Sequence, residues 1–393
     1  MTPKRIAIIG SPGRVEDALR KPIQTLIDQV GQNTGNLAFW HAIYKQVAGE
    51  KTYFDWDFDP VTIRNEFDIV IFAAANQMNP RWDLGELARR LEATKKPLVV
   101  IGLGAQANKL GDTVTLQPGT QRLISLFSER CVRIGVRGEF SASVAEKYGA
   151  KNTEIIGCPS NFINTWETNL GAVISNRLTH TTKPYRIIVN LDLNAHLSST
   201  IRRCVSWIEE WGGNLMIQTS ASPMHLAFGQ IENVPHNELS NLAHLLFDRA
   251  WDEKARQFLL SRLTVFFDAE AWMNAVRPSR LSIGTRLHGN ILAFQAGVPS
   301  IVIPHDARTM ELAQTIGIPT ATHQQILETE SLPSLMSNIE FDGPAFDVRR
   351  KALARRYVDL LSASEVPVAA DLLALAASGE ARERSPAPVE LEA

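Results

Sequence analysis

The sequence predicts an α/β protein built from two Rossmann-like, doubly wound domains facing a cleft. Three observations carry that prediction. From Arg5 to Ile303, apolar runs of strand length alternate with amphipathic helical stretches, the pattern of βαβ units on a parallel sheet. A polar connection, Thr179-His180-Thr181-Thr182-Lys183-Pro184, interrupts the alternation, which then restarts. The chain has 393 residues, enough for two cores of ordinary size.

The first domain is expected over residues 1–170. Arg5 to Ile9 reads as a buried strand ending at Gly10-Ser11-Pro12-Gly13, which is not a GxGxxG fingerprint because Pro12 offers no backbone donor. Gly31-Gln32-Asn33-Thr34-Gly35-Asn36 opens a helix over Leu37–Ala48, stopped by Gly49. Asn33 or Thr34 suits its cap, and the same loop allows close approach of a ligand, so Asn33 and Asn36 are candidates for ligand binding. Strands follow over Asp68–Ala73, Pro97–Gly102, Cys131–Val136 and Glu154–Ile156, with helices over Trp82–Ala93, Gln121–Ser128 and Ser141–Tyr148 between them. Arg137 stands directly after a strand and before a helix. Ser160 and Asn161 stand at the last strand exit and are candidates for lining the cleft.

Residues 171–184 are expected to be a linker and 185–343 the second domain. Its strands are read over Arg186–Leu191, Asn214–Gln218 and Leu263–Phe267, and its helices over Thr200–Trp211, Glu238–Phe247, Asp252–Ser261 and Ala269–Val276. Asp268, at a strand exit, is a further candidate for the site. Between Leu281 and Pro304, Arg286 and His288 are the only ionisable residues. This run reads as a strand (Leu281–Gly284), a helix (Gly289–Ala296) ended by Gly297 and Pro299, and a strand (Ser300–Ile303). The turn between them lies at the carboxyl edge of a sheet, where open α/β proteins bind ligands, and the next helix directs its free N–H groups there. A fixed cation, an imidazole and a helix N-terminus around one point suit a small anion whose chemistry involves a proton. Gly289 and Asn290 are therefore candidates beside Arg286 and His288. Asp306 is placed to cap a helix, and with Arg308 it is a candidate for acceptor binding.

Residues 344–378 are expected to be a C-terminal helical segment and 379–393 a disordered tail. The helix over Pro344–Ser362 carries Arg349, Arg350, Lys351, Arg355 and Arg356. These charges read as a solvated face, with peripheral contact to an anionic membrane as the second option, while Val348, Leu353, Tyr357 and Leu360 or Leu361 pack inward.

Composition excludes several classes. The chain is 45% hydrophobic and 21% charged with net charge −2, so no basic field argues for nucleic acid. Its three cysteines form no CxxC or Cys/His cluster, so no metal site or disulfide framework is implied. Ile6 to Gly10 is too short for a signal peptide and no stretch approaches a membrane span, so a cytoplasmic location is expected.

Gly284-Thr285-Arg286-Leu287-His288-Gly289-Asn290, Ala296-Gly297-Val298-Pro299, His305 to Leu312 and Gly317-Ile318-Pro319 together resemble the polysaccharide pyruvyl transferase family. Gly135-Val136-Arg137 with Gly157-Cys158-Pro159-Ser160, and the Gly31–Asn36 loop, support the resemblance. It implies a glycosyltransferase-B-like fold and transfer of a pyruvyl group from phosphoenolpyruvate to sugar hydroxyls as a ketal. It also implies that Arg286, His288 and Arg137 serve donor binding and catalysis. The donor is a co-substrate, and no cofactor is expected. The acceptor is a saccharide, free or lipid-linked, and a homo-oligomer is compatible with the sequence. Where the family often has Asp after the first-domain Arg, this chain has Gly138. Two alternatives stand beside this reading. One is a nucleotide-sugar glycosyltransferase of the same fold with Glu311 holding a ribose, and the other is a non-catalytic sugar- or anion-binding protein.

Overall fold

Helices cover both faces of two separate parallel sheets. The computed structural model describes residues 4–180 and 185–379. The first sheet holds β1 (Ile6–Ile9), β2 (Lys51–Phe54), β3 (Ile69–Ala73), β4 (Leu98–Leu103), β5 (Ile134–Val136) and β6 (Thr153–Ile155) in the order β2-β1-β3-β4-β5-β6. The second holds β7 (Ile187–Asn190), β8 (Gly213–Met216), β9 (Leu263–Thr264), β10 (Ser282–Gly284) and β11 (Ser300–Val302) in the order β11-β10-β7-β8-β9. Every pair is parallel. β1, β3 and β4 are buried at every position, which is why they read as unbroken apolar runs. β2 is an edge strand, Lys-Thr-Tyr-Phe, that is nowhere fully buried; it lacks such a run and escaped the sequence reading.

Two expectations about the connections change. Most of the expected linker is the helix Leu170–His180, packed against the helix Gly343–Ala363; residues 181–184 lie outside the described residues. The helix Ile23–Gln29, in a stretch to which the sequence reading assigns no element, buries Ile23, Leu26 and Ile27 in the second domain's core. The 344–378 segment forms two helices, Gly343–Ala363 and Ala370–Ala377, and the expected tail from 380 lies outside the described residues.

The basic stretch of that long helix is not one solvated face. Arg350 is fully buried and donates to the backbone carbonyls of Asn161 (3.0 Å), Glu167 (2.9 Å) and Asn164. Arg349 donates to the carbonyl of Gln314 at 2.8 Å, and Lys351 to Asn169 at 3.3 Å. Leu353, Tyr357, Leu360 and Leu361 pack inward as expected, but Val348 is 67% exposed. The helix thus ties the chain's end back to the first domain. Among the described residues no helix is long and apolar enough to cross a membrane.

One apolar cluster joins the domains. It brings Ile6, Ile8 and Phe39 of the first together with Leu287, Ile291 and Phe294 of the second, under Tyr357 and Leu360. The turn that carries Arg286 and His288 is therefore anchored by a core shared across the cleft.

Candidate active site

In the second sheet the strand order reverses between β7 and β10, and the crevice above that switch point is where doubly wound proteins bind ligands. The turn after β10 passes close over β7. A Cβ at Gly284 would stand 2.0 Å from the carbonyl oxygen of Asn190, and its φ of +150° favours glycine as well. The backbone N–H of Arg286 donates to that carbonyl at 3.0 Å, and Thr285 Oγ1 accepts from the N–H of Asp192 at 2.7 Å. The helix that follows spans Leu287–Gln295, starting two residues before the expected Gly289.

Neither Gly289 nor Asn290 is among the residues that line the cleft. Asn290 is fully buried and donates to the carbonyls of Gly284 (3.0 Å) and Arg286 (3.1 Å), so it holds the turn's shape. At Gly289 a Cβ would stand 2.1 Å from Asn190 Oδ1, so glycine is needed for the helix to sit on β7.

The cleft has a volume of about 940 Å³ and draws its walls from both domains. Arg137, Arg286, His288, Asp306 and Arg308 line it together with Asn33 and Asn36. A smaller adjoining recess of about 10 Å³, room for roughly one water or one anionic oxygen, is lined by Asn33, Arg137, Gln218, Arg286, Leu287, His288 and Arg308. Arg286 donates to Asp192 at 2.8 Å and Thr219 at 3.0 Å. Arg137, 2% exposed, donates through Nε to the carbonyl of Gly102 at 2.9 Å. Arg137 Nη2, Arg286 Nε and Arg308 Nε are buried without a hydrogen-bond partner. Unpaired buried donors are costly and uncommon, and three of them on arginines that line one recess mark a place for an acceptor-rich anion.

Asp306 does two jobs. It caps the helix Ala307–Ile316, accepting from the N–H and Oγ1 of Thr309, both at 2.8 Å, and it faces the cleft, accepting from Gln106 of the other domain at 3.2 Å. Burial pushes its carboxyl up, but Arg308, His305 and the Thr309 bonds outweigh that and hold it at about 2. His305 lies 3.7 Å from Asp192 and 3.9 Å from Asp306. Burial lowers its pKa, and so keeps it neutral near pH 7.

His288 is buried against Phe39, with Nε2 3.6 Å from Cys158 Sγ. Burial, then the charges of Arg137 and Arg308, lower its pKa well below the usual value, so its imidazole is uncharged near neutrality.

The remaining candidates fall elsewhere. Ser160 and Asn161 are buried behind the cleft instead of lining it: Ser160 donates to Cys158 Sγ at 2.9 Å, and Asn161 presents its carbonyl to Arg350. Asp268 caps the helix Ala269–Val276, accepting from the N–H of Ala271 at 2.7 Å, and is outside the cleft lining. Asn33 accepts from the N–H of Gly35 at 2.9 Å and does not cap the helix, which runs Asn36–Gln46 with Gly35 as its cap.

Glu311 is not free to hold a ribose, because it accepts from the N–H and Oγ of Ser141, each at 2.6 Å, and so bolts the two domains together. Gly138 makes room for it: a Cβ there would stand 2.6 Å from Glu311 Cγ.

Sequence reading passed over Asp192, Gln106, Thr219 and His305. Asp192 and Gln106 closely follow buried strands, the same signal that singled out Asp268, and could have been found by it. Thr219 carried no distinguishing signal.

Residues 33–307 match the sequence family described as polysaccharide pyruvyl transferase. No curated protein sequence matches the chain. Similar solved structures include a putative UDP-N-acetylglucosamine 2-epimerase from Listeria monocytogenes, at 12% identity over 100% of both chains and a TM-score of 0.46. Another is Anabaena Alr3699/HepE in complex with UDP and glucose, at 13% identity over 91% of this chain and 99% of that one, with a TM-score of 0.46. A third is the UDP-GlcNAc 2-epimerase from Neisseria meningitidis bound to UDP-GlcNAc, at 12% identity over 91% of this chain and 100% of that one, with a TM-score of 0.40. The family match takes in most of the chain, including the turns that carry Arg137, Arg286 and His288, and on that ground this protein is a member of the polysaccharide pyruvyl transferase family of enzymes.

Proposed function

We propose that the cleft binds phosphoenolpyruvate and that the enzyme transfers its pyruvyl group to two hydroxyls of a saccharide, in a polysaccharide or its lipid-linked precursor, as a ketal. The observation that carries this reading is the set of unpartnered buried donors on Arg137, Arg286 and Arg308 around one recess. Phosphoenolpyruvate has about two negative charges on phosphate and one on its carboxylate, and guanidinium groups match both oxyanions bidentately. Three arginines against Asp192 and Asp306 leave the site one positive charge in excess, so it attracts an anion.

The reaction balances without a further reactant. One sugar oxygen adds at C2 and a proton adds to the methylene carbon, making it methyl. The second sugar oxygen then bonds to C2 as the C2–O bond to phosphate breaks. Of the two hydroxyl protons, one ends on the methyl carbon and the other leaves with phosphate. His288 enters this sequence uncharged, so its first act is to accept a proton, and the attacking hydroxyl supplies it. The anionic donor offsets the field of Arg137 and Arg308, which lets His288 hold that proton and pass it on.

The test is phosphate release from phosphoenolpyruvate in the presence of saccharides ending in galactose, glucose or N-acetylmannosamine, beside thermal protection by phosphoenolpyruvate and by a panel of nucleotide sugars. Acceptor-dependent release and protection by phosphoenolpyruvate are expected. Protection by a nucleotide sugar alone would overturn the reading.

A further inference from the structure

The charged part of the site occupies one end of the cleft, and the other end has a different chemistry. In the first sheet the strand order reverses between β1 and β3, so this domain has a switch-point crevice of its own. Ser11 after β1 and Asn76 after β3 line it, and Trp40 lies on the glycine at the β1 exit, where a Cβ at Gly10 would stand 3.0 Å from its Nε1. Trp56, two residues past β2, is 42% exposed and Trp82 is 38% exposed, and both line the cleft. Large indoles exposed inside a concave wall are unusual unless they receive something.

Both indoles sit on fixed backbone. The carbonyl of Trp82 accepts from Thr120 Oγ1 at 2.6 Å, and the neighbouring Asp83 accepts from the N–H groups of Gly85 (2.9 Å) and Gly119 (3.1 Å). Trp56 packs against Phe72 at 6.1 Å between ring centroids. Beside these indoles Asp55 and Asp83 line the cleft with Arg81, an excess of one negative charge, the reverse of the donor end.

From these observations, and resting on the pyruvyl-transfer reading, we infer that the acceptor is an uncharged oligosaccharide of several units lying along the carboxyl edge of the first sheet, with Trp56 and Trp82 as its stacking platforms. The strand order places the β2 exit four strand spacings from the β5 exit that carries Arg137, roughly 19 Å at about 4.8 Å per strand. A single sugar that reaches the donor cannot reach Trp56, whereas a chain can touch both. The flat C–H faces of pyranose rings suit indole surfaces, and their hydroxyls suit Asn76 and Asp55. The excess negative charge disfavours uronate-containing chains.

The experiment measures binding of the full chain, without donor, to an array of neutral mono-, di- and tetrasaccharides ending in galactose, glucose or N-acetylmannosamine, with uronate-containing tetrasaccharides beside them. A neutral tetrasaccharide should bind at least about 10-fold tighter than its terminal monosaccharide, and Trp56→Ala or Trp82→Ala should each remove about that factor. Thermal protection by phosphoenolpyruvate should be unchanged in both variants. Equal affinity for mono- and tetrasaccharide, preference for the uronate chains, wild-type affinity in both tryptophan variants, or no binding across the array would each overturn the inference. Because the saccharide-binding readouts contain no donor, absence of phosphoenolpyruvate protection in the parent chain counts against the donor reading and not against the assignment of this wall.

Discussion

The turns after β5 and β10 look alike in sequence: a buried strand, a single arginine, then a helix. They differ in what meets the guanidinium. Arg286 is held by Asp192 and Thr219, so much of its charge is answered within its own domain. Arg137 donates only to the carbonyl of Gly102, and no described carboxylate lies within ion-pair distance of it. Burial lowers the pKa of both, but only Arg137 is left without a counter-ion. Identical placement at a strand exit thus yields one positioned, partly neutralised cation and one uncompensated cation. The second is the one whose cost a bound anion relieves.

Replacing each arginine with methionine tests that difference most directly. Arg137→Met should lower the turnover of phosphoenolpyruvate by about a thousandfold, the loss of two charge-assisted bonds at roughly 2 kcal/mol each. It should also raise the melting temperature, because an unpaired buried charge is replaced by apolar volume. Arg286→Met should lose activity as well but lower stability by about 1–3 kcal/mol, since Asp192 loses its donor. Equal destabilisation in the two variants would end the comparison.

His288→Ala sharpens it from the side of the imidazole, which burial and then the arginine field keep neutral. Phosphate release should fall at least about 100-fold while thermal protection by phosphoenolpyruvate persists. Near-normal turnover would remove His288 from the proton transfer.

A smaller effect is expected where the two domains are bolted together. Glu311→Gln weakens the bonds from Ser141 and should cost about 1–2 kcal/mol in denaturant unfolding. Gly138→Asp should cost at least as much, because its Cβ meets Glu311 and Thr315. A Gly138→Asp chain as stable as the parent would show that the pairing of Gly138 with Glu311 is incidental.

The smallest effect is the one a single histidine has on pH dependence. His41, His288 and His305 all have their pKa lowered, chiefly by burial, so below pH 6.5 the unfolded chain binds more protons than the folded one. Their contribution is complete above that pH and is lost as pH falls, by up to about 1.4 kcal/mol per unit for each histidine. Melting temperature should therefore drop from pH 7.5 to 5.5, and His288→Gln should make that drop shallower. An unchanged slope in the variant would place the titration elsewhere.

By itself the sequence determined the alternation of strands and helices, the two units, and the strand-exit positions of Arg137, Arg286 and His288. Those features follow from local periodicity and from where a parallel strand must end, and both are written in neighbouring residues. It also singled out Gly289, but not its work, since the crowding that needs a glycine there comes from Asn190, about 100 positions earlier in the chain. Only the tertiary structure decided which arginine is paired, that Glu311 is spent on Ser141, and that Trp56 and Trp82 line the same cleft as Arg137 and Arg286. Strand order brings those partners together, and strand order is selected by the packing of the whole sheet, which no stretch of the chain encodes alone.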